Sequence, residues 1–171
     1  AKNPRTESRH LPQKIISKQF TITLIVISSL AFIYISWLLA KLCFFLSPLV
    51  LAVLFLYSYT KRFTHYTQLF LGFALGIAPI GAWIAMTGSI SITPIFLGLA
   101  VLFWVAGFDI LYSAQDYQFD KVSGLHSMVV KFGIDKAFHL ARAMHLFSFF
   151  LLLATGLVAN LHWPYFLGLL V

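Results

Sequence analysis

Residues 92–124 read ITPIFLGLAVLFWVAGFDILYSAQDYQFDKVSG, an apolar run of membrane length that ends in a cluster of acids. The chain has five acidic residues, and three of them, Asp109, Asp116 and Asp120, lie in this stretch. A carboxylate at the edge of a bilayer is costly, so it marks a functional site by default. At about 100° per residue, Asp109 to Asp116 falls about 20° short of two turns, and Asp116 to Asp120 runs about 40° past one. A continuous helix would carry all three on one face, with Tyr112 between them. Like charges on adjacent turns repel by about 0.2–0.5 kcal/mol per pair. A cation is therefore expected opposite them. A hard divalent ion such as Mg²⁺, which takes one or two carboxylates plus phosphate oxygens, suits the place. The plainer alternative, acids fraying from a helix end into water, fits neither the shared face nor the scarcity of acids elsewhere.

Outward from this stretch the chain is apolar almost throughout. Its 171 residues are 60% hydrophobic and 10% charged, with a mean hydropathy of +0.90. That composition excludes an ordinary soluble domain. The fold class it predicts is all-α, a polytopic transmembrane helical bundle in one domain spanning residues 1–171, with the lipid bilayer as its solvent. Complete apolar runs cover about 20–39, 42–59, 69–86 and 92–111, each near the ~20 residues that cross a bilayer. A fifth run covers about 144–161, and a sixth begins near Trp163. Trp37 and Trp163 fall where an aromatic belt would lie, whereas Trp83 and Trp104 lie deeper. Gly72, Gly76, Ala78, Gly81 and Ala82 form a small-residue set read as helix packing. Pro79 is expected to kink that helix. Cys43, the single cysteine, excludes an intrachain disulfide. The chain opens on a polar segment rather than on Met and stops inside an apolar run, as a piece of a longer protein would.

The formal net charge of +7 comes from residues placed between the spans. Topology accounts for it, and nucleic acid is not expected as a partner. Eleven of the twelve Lys and Arg fall on one side if the spans alternate: Lys2, Arg5, Arg9, Lys14 and Lys18, then Lys61 and Arg62, then Lys121, Lys131, Lys136 and Arg142. Only Lys41 lies on the other. The positive-inside rule puts the basic side in the cytoplasm, the side that also holds the aspartates. Acids that bind a cation and basic loops at one membrane surface suit an anionic, phosphate-bearing, lipid-soluble substrate. The alternative for Lys61, Arg62 and His65 is snorkelling at a helix end.

The pattern D-x-x-Y-x-x-x-D-x-x-x-D from Asp109, followed by Gly124, Ser127 and Phe132-Gly133, resembles the second aspartate-rich motif of the UbiA superfamily of intramembrane prenyltransferases. N-P-R-T-x-x-R-x-L-P near the start is similar to the loop that follows the first aspartate-rich motif of that family. The first motif itself, N-D-x-x-D-x-x-x-D, is expected just before Ala1. Y-x-x-T-K-R-x-T-x-x-x-Q at residues 57–68 is similar to a third family loop. It implies diphosphate contacts from Lys61 and Arg62, where an Arg fork and a Lys point charge both match phosphate oxygens. G-L-H-S at 124–127 resembles the branch associated with menaquinone made by the futalosine route. Many aromatic-acceptor members have Lys where this chain has His126, which makes His126 a candidate substrate contact.

The resemblance implies Mg²⁺-dependent transfer of a polyprenyl group from an allylic polyprenyl diphosphate to an aromatic acceptor, 4-hydroxybenzoate or a related aromatic acid, in ubiquinone or menaquinone biosynthesis. Asp116 and Asp120 would hold the metal, and a second ion would come from the missing motif. Asp109 would help accept the proton that the acceptor loses, Tyr112 would face the allylic cation, and Arg5 or Arg9 would orient the acceptor's carboxylate. The site would be at the cytoplasmic face of a bacterial inner membrane. Other readings are a family member with a non-aromatic acceptor, a cation-coupled transporter and a membrane scaffold. Transporter sites tend to lie near the midplane on interrupted helices, and a scaffold leaves the acidic face unexplained.

Overall fold

Hydropathy alone leaves open how the apolar runs pack. The computed structural model describes residues 3–170, Pro4 by its backbone only. Lys2, one of the basic residues counted above, and the terminal Ala1 and Val171 lie outside the described residues. The helices are α1 (Pro4–Glu7), α2 (Lys18–Leu39), α3 (Lys41–Tyr57), α4 (Thr67–Thr87), α5 (Ile92–Ser113), α6 (Tyr117–Val122), α7 (Met128–Phe132), α8 (Ile134–Val158) and α9 (Trp163–Gly168). Single 3-10 turns cover Thr60–Arg62 and Ala114–Asp116. No strand occurs among the described residues. The fold is all-α, as the composition requires.

Four helices are long and apolar enough to cross a membrane: α2, α4, α8, and α5 together with its extension to Val122. The expectation of five complete spans is corrected at α3. It has 17 residues rather than the eighteen of the apolar run, because the chain leaves the helix at Tyr57 to enter the turn that carries Lys61 and Arg62. At 1.5 Å per residue it is about 25 Å long, a little less than the hydrocarbon layer. The fifth span is corrected in the other direction. It begins at Ile134, ten residues before the apolar run, so its first turns carry Asp135, Lys136, His139 and Arg142. Hydropathy reports immersion, but helix propagation does not stop at the water line. The sixth run contributes only the short α9. Pro48 and Pro79 both lie within helices that continue through them.

α4 and α5 pack with their backbones in contact. A Cβ on Gly76 would meet Gly98 O at 2.5 Å, and one on Gly98 would meet Gly76 O at 2.5 Å. Gly72 sits likewise against Leu102 O. Only glycine admits this approach. The rest of the small-residue set does not take part. Ala78 and Ala82 are exposed, and nothing lies within 4 Å of a Cβ on Gly81. The step from Gly76 to Ala78 turns the helix by about 200°, which sends those residues to another face.

α8 crosses α5 through Ser148 Oγ, which donates to Ala100 O at 2.7 Å. Where α5, α7 and α8 meet, Ala106, Ile110, Met128, Val129, Ala137, Ala141 and Met144 form the buried core. By contrast α2 buries only Ser36 and α3 only Ser47. Trp37 and Trp163 are exposed, as belt residues would be. The core thus lies directly under the acidic end of α5 and braces it.

Candidate functional site

α5 does not run straight through the three acids. It ends at Ser113, tightens into the 3-10 turn at Ala114–Asp116 and resumes as α6. The expected uniform helical face is therefore corrected, since a 3-10 turn advances about 120° per residue rather than 100°. The break is braced from within the core by Gln68 at the start of α4, which is wholly buried. Gln68 Nε2 donates to Ser113 Oγ at 3.1 Å, and Gln68 Oε1 accepts from the backbone N–H of Met128 at 3.2 Å. One side chain thus ties α4, α5 and α7 together below the acids. Beyond α6, Gly124 has φ +66°, and the Leu125 N–H donates to Asp120 O at 2.8 Å. This Schellman turn needs a left-handed residue at the glycine position and reverses the chain toward α7.

Each of the outer two acids meets a cation from a different part of the chain. Asp116 is 7% exposed. Its Oδ1 accepts from Arg5 Nε at 2.8 Å and from Asn3 Nδ2 at 2.9 Å, and its Oδ2 accepts from Arg5 Nη2 at 2.5 Å. The third guanidinium nitrogen, Arg5 Nη1, donates to Tyr112 Oη at 2.7 Å. The hydrogen bond to Asp116 raises the Arg5 pKa further above its ordinary value, so the guanidinium is always charged. Asp120, 1% exposed, accepts from Lys61 Nζ at 2.8 Å through Oδ2. Lys61 is itself held by the main chain, its carbonyl accepting from the His126 N–H at 2.8 Å. The N-terminal segment, the Thr60–Arg62 turn and the α5–α6 junction thus meet at one end of the bundle, as the alternation of spans predicted.

Asp109 lies about two turns deeper. It accepts no hydrogen bond among the described residues and lines a cleft of about 550 Å³ together with Tyr57, Leu71, Leu75, Trp104, Val105, Phe108 and Tyr112. The cleft is aromatic and aliphatic along its length, with a carboxylate and a phenol at the charged end. A second cavity of about 260 Å³, lined by Ser36, Cys43, Ser47 and Gly81 among others, lies between α2, α3 and α4. It contains none of the acids.

Other predicted residues fall outside this arrangement. Arg9 is exposed and makes no side-chain hydrogen bond among the described residues. Arg62 is exposed, with its guanidinium carbon 5.2 Å from the Tyr59 ring centroid. His126, the candidate substrate contact, is half-buried, its ring centroid 4.4 Å from that of His65. The Nδ1 atoms of both rings are buried without a hydrogen-bond partner among the described residues. Asn3, Gln68, Tyr57 and His65 were not singled out as site residues. Asn3, Tyr57 and Gln68 stand in the quoted motifs, and a fully polar amide beside an apolar run is the available signal for Gln68.

The donors at this end suit a hard divalent cation. Asp116 and Asp120 offer carboxylate oxygens, and the second oxygen of Asp120 accepts no hydrogen bond among the described residues. No group of three acidic, His or Cys residues among the described residues is placed to hold one ion. Asp116 and Asp120 would then supply part of the coordination of Mg²⁺, with phosphate and water completing it.

The family model of the UbiA prenyltransferase family matches residues 1–171. The chain belongs to this family. Among curated UbiA relatives, a 4-hydroxybenzoate octaprenyltransferase from Marinomonas sp. (strain MWYL1) is 33% identical over 169 residues, 98% of this chain and 59% of the relative. One from Vibrio atlanticus (strain LGP32) is 30% identical over 168 residues, 98% of this chain and 58% of the relative. A 4-hydroxybenzoate solanesyltransferase from Synechocystis sp. (strain ATCC 27184 / PCC 6803 / Kazusa) is 31% identical over 129 residues, 75% of this chain and 44% of the relative. The chain therefore spans less than two thirds of these relatives. Among solved structures, the apo structure of a UbiA homolog from Aeropyrum pernix K1 matches with a TM-score of 0.91 at 31% identity, covering 98% of this chain and 64% of that one. The family and the membrane-spanning helical fold agree.

Proposed function

We propose that the protein transfers a polyprenyl group from an allylic polyprenyl diphosphate to an aromatic acceptor, with Mg²⁺. The observation that carries this reading is the junction of two features. Two nearly buried carboxylates with cations from separate loops lie at one membrane end, and a long apolar cleft runs inward from Asp109 and Tyr112. A diphosphate at the charged end would lay its prenyl tail along that cleft.

Asp116 and Asp120 would hold Mg²⁺, which would supply charge neutralisation of the leaving diphosphate. Lys61 and Arg62 add donors to the phosphate oxygens beside the nearly buried Asp116 and Asp120. As the allylic C–O bond breaks, its electron pair leaves with the diphosphate. The allylic cation is delocalised, and the Tyr112 ring face offers it further stabilisation. A ring carbon of the acceptor then forms the new C–C bond, and Asp109 accepts the proton that this carbon loses. The aromatic lining of the cleft keeps water from capturing the cation. Arg9, exposed and without a side-chain hydrogen bond among the described residues, is available to hold an acceptor carboxylate.

The names of the relatives favour 4-hydroxybenzoate as acceptor, while the Gly124–Ser127 segment favours an aromatic acid of the menaquinone route. The cytoplasmic face of a bacterial inner membrane is the expected setting. The test is a radiolabelled polyprenyl diphosphate assay on the purified full-length protein in lipid, with 4-hydroxybenzoate and other aromatic acids. Transfer should require Mg²⁺ and fall at least about a hundredfold in Asp116→Asn and Asp120→Asn. Full turnover in either variant would remove that residue from the metal site.

A further inference from the structure

Both oxygens of Asp116 already accept hydrogen bonds. Arg5 and Asn3 together place three hydrogen bonds on its two oxygens. A metal ion can bond only at the one acceptor direction left on Oδ2, beside the guanidinium, where the two cations repel unless Arg5 withdraws. Yet a carboxylate only 7% exposed cannot stay ionised without a partner. A metal-free site therefore needs a cation here, and a metal-loaded one needs that cation elsewhere.

We propose that Arg5 is a placeholder cation: it occupies Asp116 until a divalent ion arrives and then carries its charge to the diphosphate. The inference rests on the prenyl-transfer reading above. Arg5 and Lys61 differ in how they are held, and this assigns the moving part. Lys61 follows the wholly buried Thr60, and its carbonyl is bonded to the His126 N–H at 2.8 Å. The side chain of Arg5 is 30% exposed. It sits on a four-residue turn, and residues 7–16 after it are all exposed. The segment is held by turn hydrogen bonds of its own, such as the Gln13 N–H to Arg9 O at 3.1 Å, and none of its residues is buried. The guanidinium fork that grips a carboxylate in two places matches a phosphate equally well, so Arg5 trades one bidentate partner for another.

The exchange has a thermodynamic consequence. Metal binding frees Arg5 for phosphate, and phosphate draws Arg5 away from Asp116. Each ligand raises the affinity of the other by the same factor, and Arg5 carries part of the coupling. Its departure also frees Tyr112 Oη, which accepts from Arg5 Nη1 at 2.7 Å, at the mouth of the cleft.

The experiment measures Mn²⁺ binding by electron paramagnetic resonance on the full-length protein in lipid nanodiscs. It is run with and without inorganic pyrophosphate, the signal of the free manganese–pyrophosphate complex being subtracted. Arg5→Gln should bind Mn²⁺ alone about tenfold more tightly than the unmodified protein, because the competing cation is gone. Pyrophosphate should raise the affinity of Arg5→Gln less than that of the unmodified protein. Arg5→Lys, which keeps the charge but not the fork, should fall between them. Equal or weaker Mn²⁺ binding by Arg5→Gln overturns the placeholder role. Asp116→Asn separates this failure from a deeper one. If Asp116→Asn weakens Mn²⁺ binding and Arg5→Gln leaves it unchanged, the placeholder role alone falls. If Asp116→Asn binds Mn²⁺ as the unmodified protein does, the metal assignment falls with it.

Discussion

Replacing Lys61 by Met should destabilise the protein far more than replacing its partner Asp120 by Asn. The pair is 2.8 Å apart, but its two side chains are not equally wet, Lys61 being 36% exposed and Asp120 only 2%. Lys61→Met strands a buried carboxylate, which costs about 3 kcal/mol. Asp120→Asn strands an ammonium that water already reaches, at a cost of about 1 kcal/mol or less. The double variant removes both charges and should recover to within about 1 kcal/mol of the unmodified protein. For a chain of this size, 3 kcal/mol corresponds to a fall in Tm of about 6–12 °C. Thermal unfolding in detergent, followed by tryptophan fluorescence in chelator, measures all four forms. Mg²⁺ should then stabilise Lys61→Met more than the unmodified protein, because the ion finds a carboxylate with no competing cation. Equal losses in the two single variants, or a double variant no better than Lys61→Met, would refute this account of the pair.

Three further outcomes follow from the geometry. Gln68→Leu leaves the Met128 N–H buried without an acceptor and should cost about 2 kcal/mol in the same unfolding assay. Asp109→Asn should lower kcat about 10²–10⁴-fold while leaving Mn²⁺ affinity within about twofold, since Asp109 serves the proton and not the metal. Cysteines at Ser123 and at Ser89, in a Cys43→Ala background, should be labelled from opposite sides of sealed vesicles; labelling from one side alone would refute the alternation of spans.

Much of the site was legible because charge is rare in this chain. With so few acids, those at the end of α5 had to meet the basic loops on the same side, and they do. The pairing was not legible. That Arg5 takes Asp116 while Lys61 takes Asp120 depends on the 3-10 turn at Ala114–Asp116. No glycine or proline marks that turn, and its brace, Gln68, is 45 residues away from Ser113. The approach of His65 to His126 is likewise long-range and has no local signature. The ends of α3 and α8 differ from those of the apolar runs for one reason, that apolar runs mark lipid contact and not helix ends. The small-residue set was over-read because spacing in sequence was not converted into rotation. Gly72 and Gly76 share the face that meets α5, and Ala78 and Ala82 lie on another.

The main-chain bond between the His126 N–H and the Lys61 carbonyl has an implication for how such a site can diversify. With the Leu125 N–H on the Asp120 carbonyl, it forms a seam that involves no side chain at position 126. An amide donates whatever residue carries it, proline excepted. The side chain at 126 can therefore be exchanged, where its packing on the His65 ring is matched, while the main-chain bonds keep the Lys61–Asp120 pair in register. A lineage, or an engineer, can retune what the loop presents to a new acceptor at 126 and leave the ionising machinery where it stands.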